Sequence, residues 1–296
     1  MGEDLRYQYA KDGYPLDLDK IKNIKKILVK QFPCGVEVPW VHSPENAVWK
    51  DNGWKLSIHD ITVLGKPSDN HNQISIKSQI MDTEDRVLAS IFTQTYSFKQ
   101  GSTNIKLDAI ELSDDKSSSG LNIGGKILQA NQEFILHCQM QGTMHIWASS
   151  HETLVGGSYW APRYFNFADI SELEKVRKAF KDFYAAKQKK VVDMDFAAIN
   201  TKLDCLQYPF EFYAFDDGCL YKMKNTAGEN CNVGKYILSN HRLVRHWFGS
   251  WNEQYASTNH PIRKGCDKLL AQKGKKFAYP DDIDEIIKAK HFYLEY

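Results

Sequence analysis

The stretch that decides the fold begins with Ile105-Lys106-Leu107-Asp108-Ala109-Ile110-Glu111-Leu112 and continues with Ser117-Ser118-Ser119-Gly120-Leu121-Asn122-Ile123-Gly124-Gly125-Lys126. Its first part is rich in branched apolar residues, which predicts a β-strand. Its second part is a loop of small residues, and from Ile123 onward apolar residues recur at helical spacing. The apolar segment from Thr143 to Ala148 predicts a further strand. The order is therefore strand, Ser/Gly loop, helix, strand.

Strands are predicted on the N-terminal side of this unit. Ile74, Ile76 and Ile80 alternate with polar residues, as a half-buried strand requires. Short loops between successive extended segments indicate antiparallel neighbours. The other extended segments are 36–40, 54–64 and 87–98, and helices are predicted at Asp17–Gln31, from Asp169 with its capping partner Glu172 to about Lys187, and from about Asp281.

These elements predict an α+β fold, with a mixed, mostly antiparallel central β-sheet flanked by helices and a smaller C-terminal subdomain. We expect an N-terminal helical segment at 1–35, a central domain at 36–190 and a C-terminal extension at 191–296. The extension is rich in aromatic residues between Tyr208 and Phe215 and between Trp247 and Trp251. Such density predicts a packed subdomain first and a binding surface second.

Bulk properties narrow the classes of function. The 296 residues carry a net charge of +1, which argues against nucleic acid and anionic membranes as partners. No apolar run is long enough to span a bilayer, and no secretory signal is present. Six cysteines without a C-x-x-C pair are typical of reduced thiols. We expect a soluble cytoplasmic protein, although an effector exported without a signal has the same properties; the oligomeric state is left open.

The Ser/Gly loop has the composition of an anion site. A small-residue loop that enters a helix exposes several backbone N–H groups, and the helix dipole makes that end positive. Such an end suits a pyrophosphate, and glycine lets the backbone approach the anion closely. A helix start without a ligand has the same composition, so the loop alone does not settle the function.

The order and spacing of these elements resemble the GNAT superfamily of acyl-CoA-dependent N-acyltransferases. The family loop reads Arg/Gln-x-x-Gly-x-Gly/Ala; here Gly124 matches the last small position, while Ser119 and Asn122 depart from the pattern. A later family segment, aromatic-Tyr/Trp-x-x-x-Gly-Phe, is matched by Tyr159-Trp160-Ala161-Pro162-Arg163-Tyr164-Phe165, with Tyr164 in place of Gly. The resemblance covers about residues 74–167.

The resemblance implies acyl transfer from acetyl-CoA or another acyl-CoA to an amine, whose class the sequence does not name. Glu111 is the expected base, with Asp108, His145 and His151 as further candidates, and Tyr159 or Tyr164 is the expected proton donor to the thiolate. No metal is expected. The expected CoA-binding residues are Ile110, Leu112, Ser117, Ser118, Ser119, Gly120, Leu121, Asn122, Ile123, Gly124, Gly125 and Lys126.

Two other functions stay open at this stage. The lost Arg/Gln, the substituted glycine and the missing family tyrosine also fit a GNAT-like protein that binds without catalysing. An effector or toxin enzyme built mainly on the C-terminal half is the third class. Separately, Asn232-Val233-Gly234-Lys235-Tyr236-Ile237-Leu238 echoes Asn122–Leu128, as a duplicated phosphate loop would, although no strand pattern precedes it.

Overall fold

The chain forms two compact units in this computed structural model. Residues 1–144 with 288–296 make up the first unit, and residues 145–287 make up the second. The structure describes residues 5–8, 55–64, 71–84, 86–99, 102–112, 123–137, 141–149, 156–188, 195–217, 223–224, 230–272, 274, 279 and 281–294. The architecture is α+β, with antiparallel sheet pairings and flanking helices, as the sequence predicts.

An antiparallel meander forms most of the first unit. Each strand from β1 to β5 pairs antiparallel with the next, and β6 follows β5 in the sheet order. The strands are β1 (Leu5–Gln8), β2 (Lys55–Leu64), β3 (His71–Met81), β4 (Val87–Lys99), β5 (Ser102–Leu112) and β6 (Gln141–Ser149). Strands β2 to β6 each confirm a predicted strand within a few residues, and β1 was not predicted.

A tight turn joins β3 to β4 because Asp82 organises it. One carboxylate oxygen of Asp82 accepts hydrogen bonds from the backbone N–H of Glu84 and of Arg86, at 2.9 and 3.0 Å. The other oxygen accepts from Nε of Arg86 at 2.7 Å. This is the local side-chain turn that aspartate favours.

Helix α1 (Ile123–His137) follows β5 and lies against it. Its apolar residues recur every three to five positions, so that Ile123, Leu128 and Ile135 are buried on the same side as the core residues of the unit. The predicted helix is confirmed from its first residue. The predicted helix at Asp17–Gln31 and the predicted strand at 36–40 lie outside the described residues.

The second unit is built around aromatic side chains. Trp247, Trp251, Phe180 and Phe212 are completely buried, and Phe212 meets Phe180 and Phe167 edge to face at 5.1 and 5.8 Å. Such pairs contribute beyond the area they bury. The elements are α2 (Gly156–Trp160), β7 (Asn166–Phe167), α3 (Ile170–Gln188), α4 (Phe196–Cys205), α5 (Pro209–Ala214), β8 (Met223–Lys224), β9 (Asn230–Cys231), α6 (Val233–Ser239), β10 (His246–Asn252), α7 (Pro261–Ala271) and α8 (Ile283–Leu294), the last reaching into residues of the first unit.

Strand β10 shows the alternation of a half-buried strand. Trp247, Gly249 and Trp251 are buried, and the residues between them are half-buried or exposed. It pairs antiparallel with β7, and β6 is its other neighbour. The segment from His246 to Trp251, noted in the sequence for its aromatics, is therefore a strand.

The division between the two units falls inside β6, between Met144 and His145, so α3 belongs to the same unit as the C-terminal elements. The reason is packing, since aromatic residues of α3 are buried with those of α5: Phe180 contacts Phe212 and Phe215. At the other end of the chain, Leu5–Gln8 is a strand paired with β2 within the predicted helical segment.

Of the predicted capping pair of α3, Asp169 caps the helix and Glu172 does not bond back to it. Oδ1 of Asp169 accepts from the backbone N–H of Ser171 and of Glu172, at 2.8 and 3.1 Å. Glu172 does not return the bond to Asp169; its Oε2 accepts from the backbone N–H of Phe248 at 2.9 Å. Within the described part of the chain, no helix combines the length and apolar character that crossing a bilayer requires.

The substitution Gly234→Ala tests the packing of α6. A Cβ at this position would lie 2.0 Å from the carbonyl oxygen of Phe212, so the helix must move away from α5. We expect the free energy of unfolding to fall by about 3 kcal/mol or more, measured by urea denaturation. Gly274→Ala is the matched control, since its φ of +65° costs only about 1 kcal/mol where no described atom lies within 4 Å. Equal losses would contradict this account of α6.

Candidate functional site

Helix α1, which the predicted CoA loop precedes in the sequence, lies between β5 and β6 in chain order. Ser117 to Asn122 lie outside the described residues, so the structure describes the site from Ile123 onward. Ile123, Gly124 and Gly125 are buried at the helix start. Lys126 is half-buried, and burial lowers the pKa of its ammonium group.

Strand β5 carries an irregularity next to the predicted base. Its register with β4 passes from Ala109 opposite Thr93 to Leu107 opposite Gln94, so the register steps over Asp108. This is the pattern of a β-bulge, which bends a strand and redirects its side chains. The strict alternation that would put Asp108 and Glu111 on opposite faces therefore does not hold. Glu111 lies opposite Ile91, with Ile110 opposite Phe92 and Leu112 opposite Ala89.

His145 is the histidine candidate that the structure describes. It is half-buried on β6, and burial lowers the pKa of its imidazole. A lowered pKa keeps the ring neutral near pH 7, and a neutral ring can accept a proton. His151 lies outside the described residues.

Tyr159 lies at the end of α2 in a cluster of side chains. The guanidinium group of Arg163 lies 3.5 Å from the centroid of its ring, and Arg163 also donates to the carbonyl of Tyr159. Trp160 meets the same ring edge to face at 5.0 Å. Tyr159 is half-buried, so its phenol is partly accessible.

Tyr164 is held far more tightly. It is completely buried, and its hydroxyl donates to Oδ1 of Asp267 at 2.6 Å. Burial, together with the Asp267 carboxylate, raises the pKa of the phenol far above its usual range. Its φ of 66° is in the left-handed region, which favours glycine. The role predicted for Tyr164 as a proton donor stays a prediction, but in this structure the phenol keeps its proton and donates its hydrogen bond to Asp267.

A buried polar cluster surrounds Tyr164. The thiol of Cys266 accepts from the backbone N–H of Tyr164 at 3.3 Å, and burial raises its pKa to about 12. Tyr279 meets the ring of Tyr164 edge to face at 5.3 Å, and Arg263 lies 4.9 Å above the Tyr279 ring. A thiol with so high a pKa stays protonated and is a poor nucleophile.

The echo of the loop at Asn232–Leu238 forms the start of α6. Its amides are occupied by protein: Gly234 donates to the carbonyl of Phe215 at 3.1 Å, and Lys235 donates to Oδ1 of Asn232 at 2.8 Å. Tyr236 donates to the carbonyl of Asn232. These three N–H groups are not available to a phosphate, so this segment is not a second anion loop of the predicted kind.

Two features of the second unit were not singled out by the sequence. The first is an exposed aromatic patch in which Trp147 stacks with Phe248 at 6.1 Å and meets His246 edge to face at 5.7 Å. The alternation in β10 would have placed Phe248 and His246 on the less buried face. The second is a cleft of about 650 Å³ between α5, β9, α6 and α7. It combines residues that are distant in the chain, so no local pattern indicated it.

Comparison with protein-family models, with curated proteins and with solved structures finds no match for this chain.

The Tyr164 hydrogen bond predicts a measurable stability difference. Tyr164→Phe keeps the buried ring but leaves the Asp267 carboxylate without its phenol donor. We expect the free energy of unfolding to fall by about 1.5–3 kcal/mol, the usual range for a hydrogen bond to a charged group. Tyr255→Phe is the control, because the Tyr255 hydroxyl accepts only a 3.5 Å hydrogen bond from Asn166. A control that loses as much as Tyr164→Phe would show that the pair with Asp267 is not the cause.

Proposed function

We propose that this protein is an acyl-CoA-dependent N-acyltransferase, which transfers an acetyl or other acyl group to an amine acceptor. The observation that carries the proposal is the order β5, α1, β6, in which the sheet neighbour of β5 is reached through a helix that starts at the predicted loop. A helical crossover is how neighbouring strands are joined when they run parallel. In the proposed enzyme, the predicted loop joins the end of β5 to the start of α1, and the start of α1 binds the pyrophosphate.

The β-bulge in β5 supports the same proposal. The resemblance implies that CoA lies in a splay between β5 and β6. A bulge bends its strand and increases the local twist, and bulges are frequent beside active sites. The register step over Asp108 therefore gives β5 a reason to diverge from its neighbour close to Ile110 and Leu112, the residues expected to hold the pantetheine arm.

The backbone of Tyr164 supports the alignment with the family segment. The family has glycine at this position, and Tyr164 has φ of 66°. Glycine adopts this conformation without the steric cost that a side chain brings. The position thus has the conformation that a glycine would favour, although a tyrosine occupies it.

The proposed chemistry needs a base, a proton donor and hydrogen-bond donors to the thioester oxygen. The amine must lose a proton before it attacks the thioester carbon, and Glu111 or the neutral His145 would accept that proton. The new amide bond forms as the C–S bond breaks, and the thiolate of CoA takes a proton from Tyr159, the more accessible of the two predicted phenols. Backbone N–H groups would stabilise the thioester oxygen as charge develops on it.

A GNAT-like protein that binds without catalysing is the second candidate. The specific observation in its favour is that the Tyr164 phenol is buried and bonded to Asp267, which removes one of the two predicted proton donors. Such a protein would bind CoA with ordinary affinity and release no thiol. The two candidates therefore differ in turnover and agree in binding.

Ser119→Arg tests the loop directly. The family has Arg or Gln at this position, and an arginine would add a charge-assisted hydrogen bond to the pyrophosphate. We expect the Kd for CoA to fall by about 5- to 10-fold in isothermal titration calorimetry on the full-length protein. Ala185→Arg adds the same charge on the exposed side of α3 and is expected to change the Kd by less than about 2-fold. No CoA binding in either form would sink the proposal.

Glu111→Gln tests catalysis separately from binding. The amide cannot accept the amine proton, so we expect thiol release from acetyl-CoA in the presence of an amine pool to fall about 100-fold. The Kd for CoA should stay unchanged, because the change removes no predicted phosphate contact. Glu84→Gln, the same change in the exposed turn between β3 and β4, is the matched control. If Glu111→Gln turns over normally, another residue is the base; if no amine releases thiol with the unmodified protein, the binding-only candidate stands.

A further inference from the structure

The cleft in the second unit has the dimensions of a ligand site. Its volume of about 650 Å³ lies in the range of small-molecule pockets. Three parts of the chain that are distant in sequence surround it: the end of α4 with α5, the β9–α6 segment, and α7. All of them belong to the second unit, so the cleft does not depend on the predicted CoA site.

Its apolar wall is rigid. The ring of Phe210 stacks on Tyr208 with centroids 5.7 Å apart and planes 8° from parallel. The ring also lies against α7 at Gly265, where a Cβ would come within 2.1 Å of it. Tyr213 and Phe215, both mostly buried, complete the aromatic lining. A fixed aromatic wall favours a ligand with a flat or aliphatic apolar body, since little side-chain freedom is lost on binding.

The polar lining is cationic. Lys235 on α6 and Lys268 on α7 both line the cleft, and Glu211 is the acidic residue among the lining side chains. The Glu211 carboxylate accepts from the backbone N–H of Gln207 and of Tyr208, at 2.7 and 3.0 Å, so it caps α5. With two lysines against one glutamate, the lining has a formal charge of +1.

Asn232, a neutral polar side chain of the lining, makes hydrogen bonds within the protein as well. Asn232 caps α6 through Oδ1, and its Nδ2 donates to the carbonyl of Tyr213 at 3.0 Å. The positive charge of Lys235 acts on the Tyr213 phenol and opposes the rise in pKa that burial causes. Ammonium groups and aromatic rings are therefore the chemistry that the cleft presents to a ligand.

We propose that this cleft binds a small organic anion: a carboxylate or phosphate group attached to an apolar body. The anion lies between the ammonium groups of Lys235 and Lys268, and the body lies against Phe210 and Phe215. Ammonium groups bind either anion as point charges. The proposal stands whether or not the protein transfers acyl groups.

Cys231 provides a reporter inside the cleft. Cys231 is half-buried among the lining residues, whereas Cys205 is exposed and does not line the cleft. The full-length protein is treated with iodoacetamide, with and without 4-phenylbutyrate or phenyl phosphate at about 10 mM, and alkylation of each cysteine is followed by mass spectrometry. We expect one or both anions to slow alkylation of Cys231 by about 5-fold or more and to leave Cys205 unchanged.

Two matched comparisons identify the cause of protection. Lys268→Gln removes a lining charge, and Lys178→Gln removes the same charge from the exposed surface of α3, outside the cleft. We expect the anion concentration for half-protection to rise about 10-fold in the first variant and less than about 2-fold in the second. The neutral alcohol 4-phenylbutanol, with the same apolar body, is expected to protect about 10-fold more weakly than 4-phenylbutyrate.

Three results would overturn the proposal. They are unchanged alkylation of Cys231 with both anions, equal effects of Lys268→Gln and Lys178→Gln, and equal protection by the alcohol and the acid. The first would show that the cleft does not bind such molecules. The second and third would show that its lysines do not recognise the anion. Each of them is independent of whether CoA binds to the loop before α1.

Discussion

The complete burial of Trp247 is the constraint on which the second unit depends. Its indole N–H cannot reach water, so it must find a protein acceptor, and it donates to the carbonyl of Gly157 at 3.1 Å. The ring meets Phe167 edge to face at 5.5 Å, which fixes the β7 strand beside it. Gly249 is the required neighbour, because a Cβ there would lie 2.7 Å from the Trp247 ring. Strand β10, helix α2 and strand β7 are thus set by one side chain.

The segment from Gly156 to Phe167 is consequently held at both ends. Trp247 fixes Gly157, and helix α7 fixes Tyr164 through Cys266 and Asp267. A tyrosine in the left-handed region costs about 1–2 kcal/mol, which the buried ring and its charge-assisted hydrogen bond offset. The same contacts that stabilise the segment hold the proton on the Tyr164 phenol, so it is a poor acid for the proposed reaction. Tyr159 lies between these two anchors but is only half-buried, and it is the better proton donor in the proposed reaction.

The elements that the sequence predicted well are those whose signal is local. The alternation in β3 and the helical spacing that begins at Ile123 depend only on residues that are near in the sequence. Strands and helices could therefore be assigned from them. The bulge at Asp108 could not be predicted, because register depends on the facing strand. Glu172 shows the same limit: its carboxylate has a partner 76 positions away at Phe248, in place of the predicted local cap.

The aromatic run from Tyr208 to Phe215 shows why the cleft was missed. Short helices and turns give no long period, so nothing in the run separates Phe212, which is completely buried, from Phe210, which lines the cleft. The difference is set by Gly265 and by α6, both contributed by later parts of the chain. Sequence reasoning correctly expected packing first and binding second from this density, but it could not assign the residues to one role or the other.

The echo between Asn122–Leu128 and Asn232–Leu238 separates local conformation from chemistry. Both segments start a helix with an asparagine and a glycine two positions on. At Gly234 the helix approaches α5 so closely that its N–H bonds to Phe215, and the positive charge near the cleft comes from the Lys235 side chain instead. A helix start binds an anion only where no carbonyl has taken its amides. The proposed transferase therefore needs the backbone N–H of Gly124 to be available to the ligand, whereas the N–H of Gly234 is bonded to the carbonyl of Phe215.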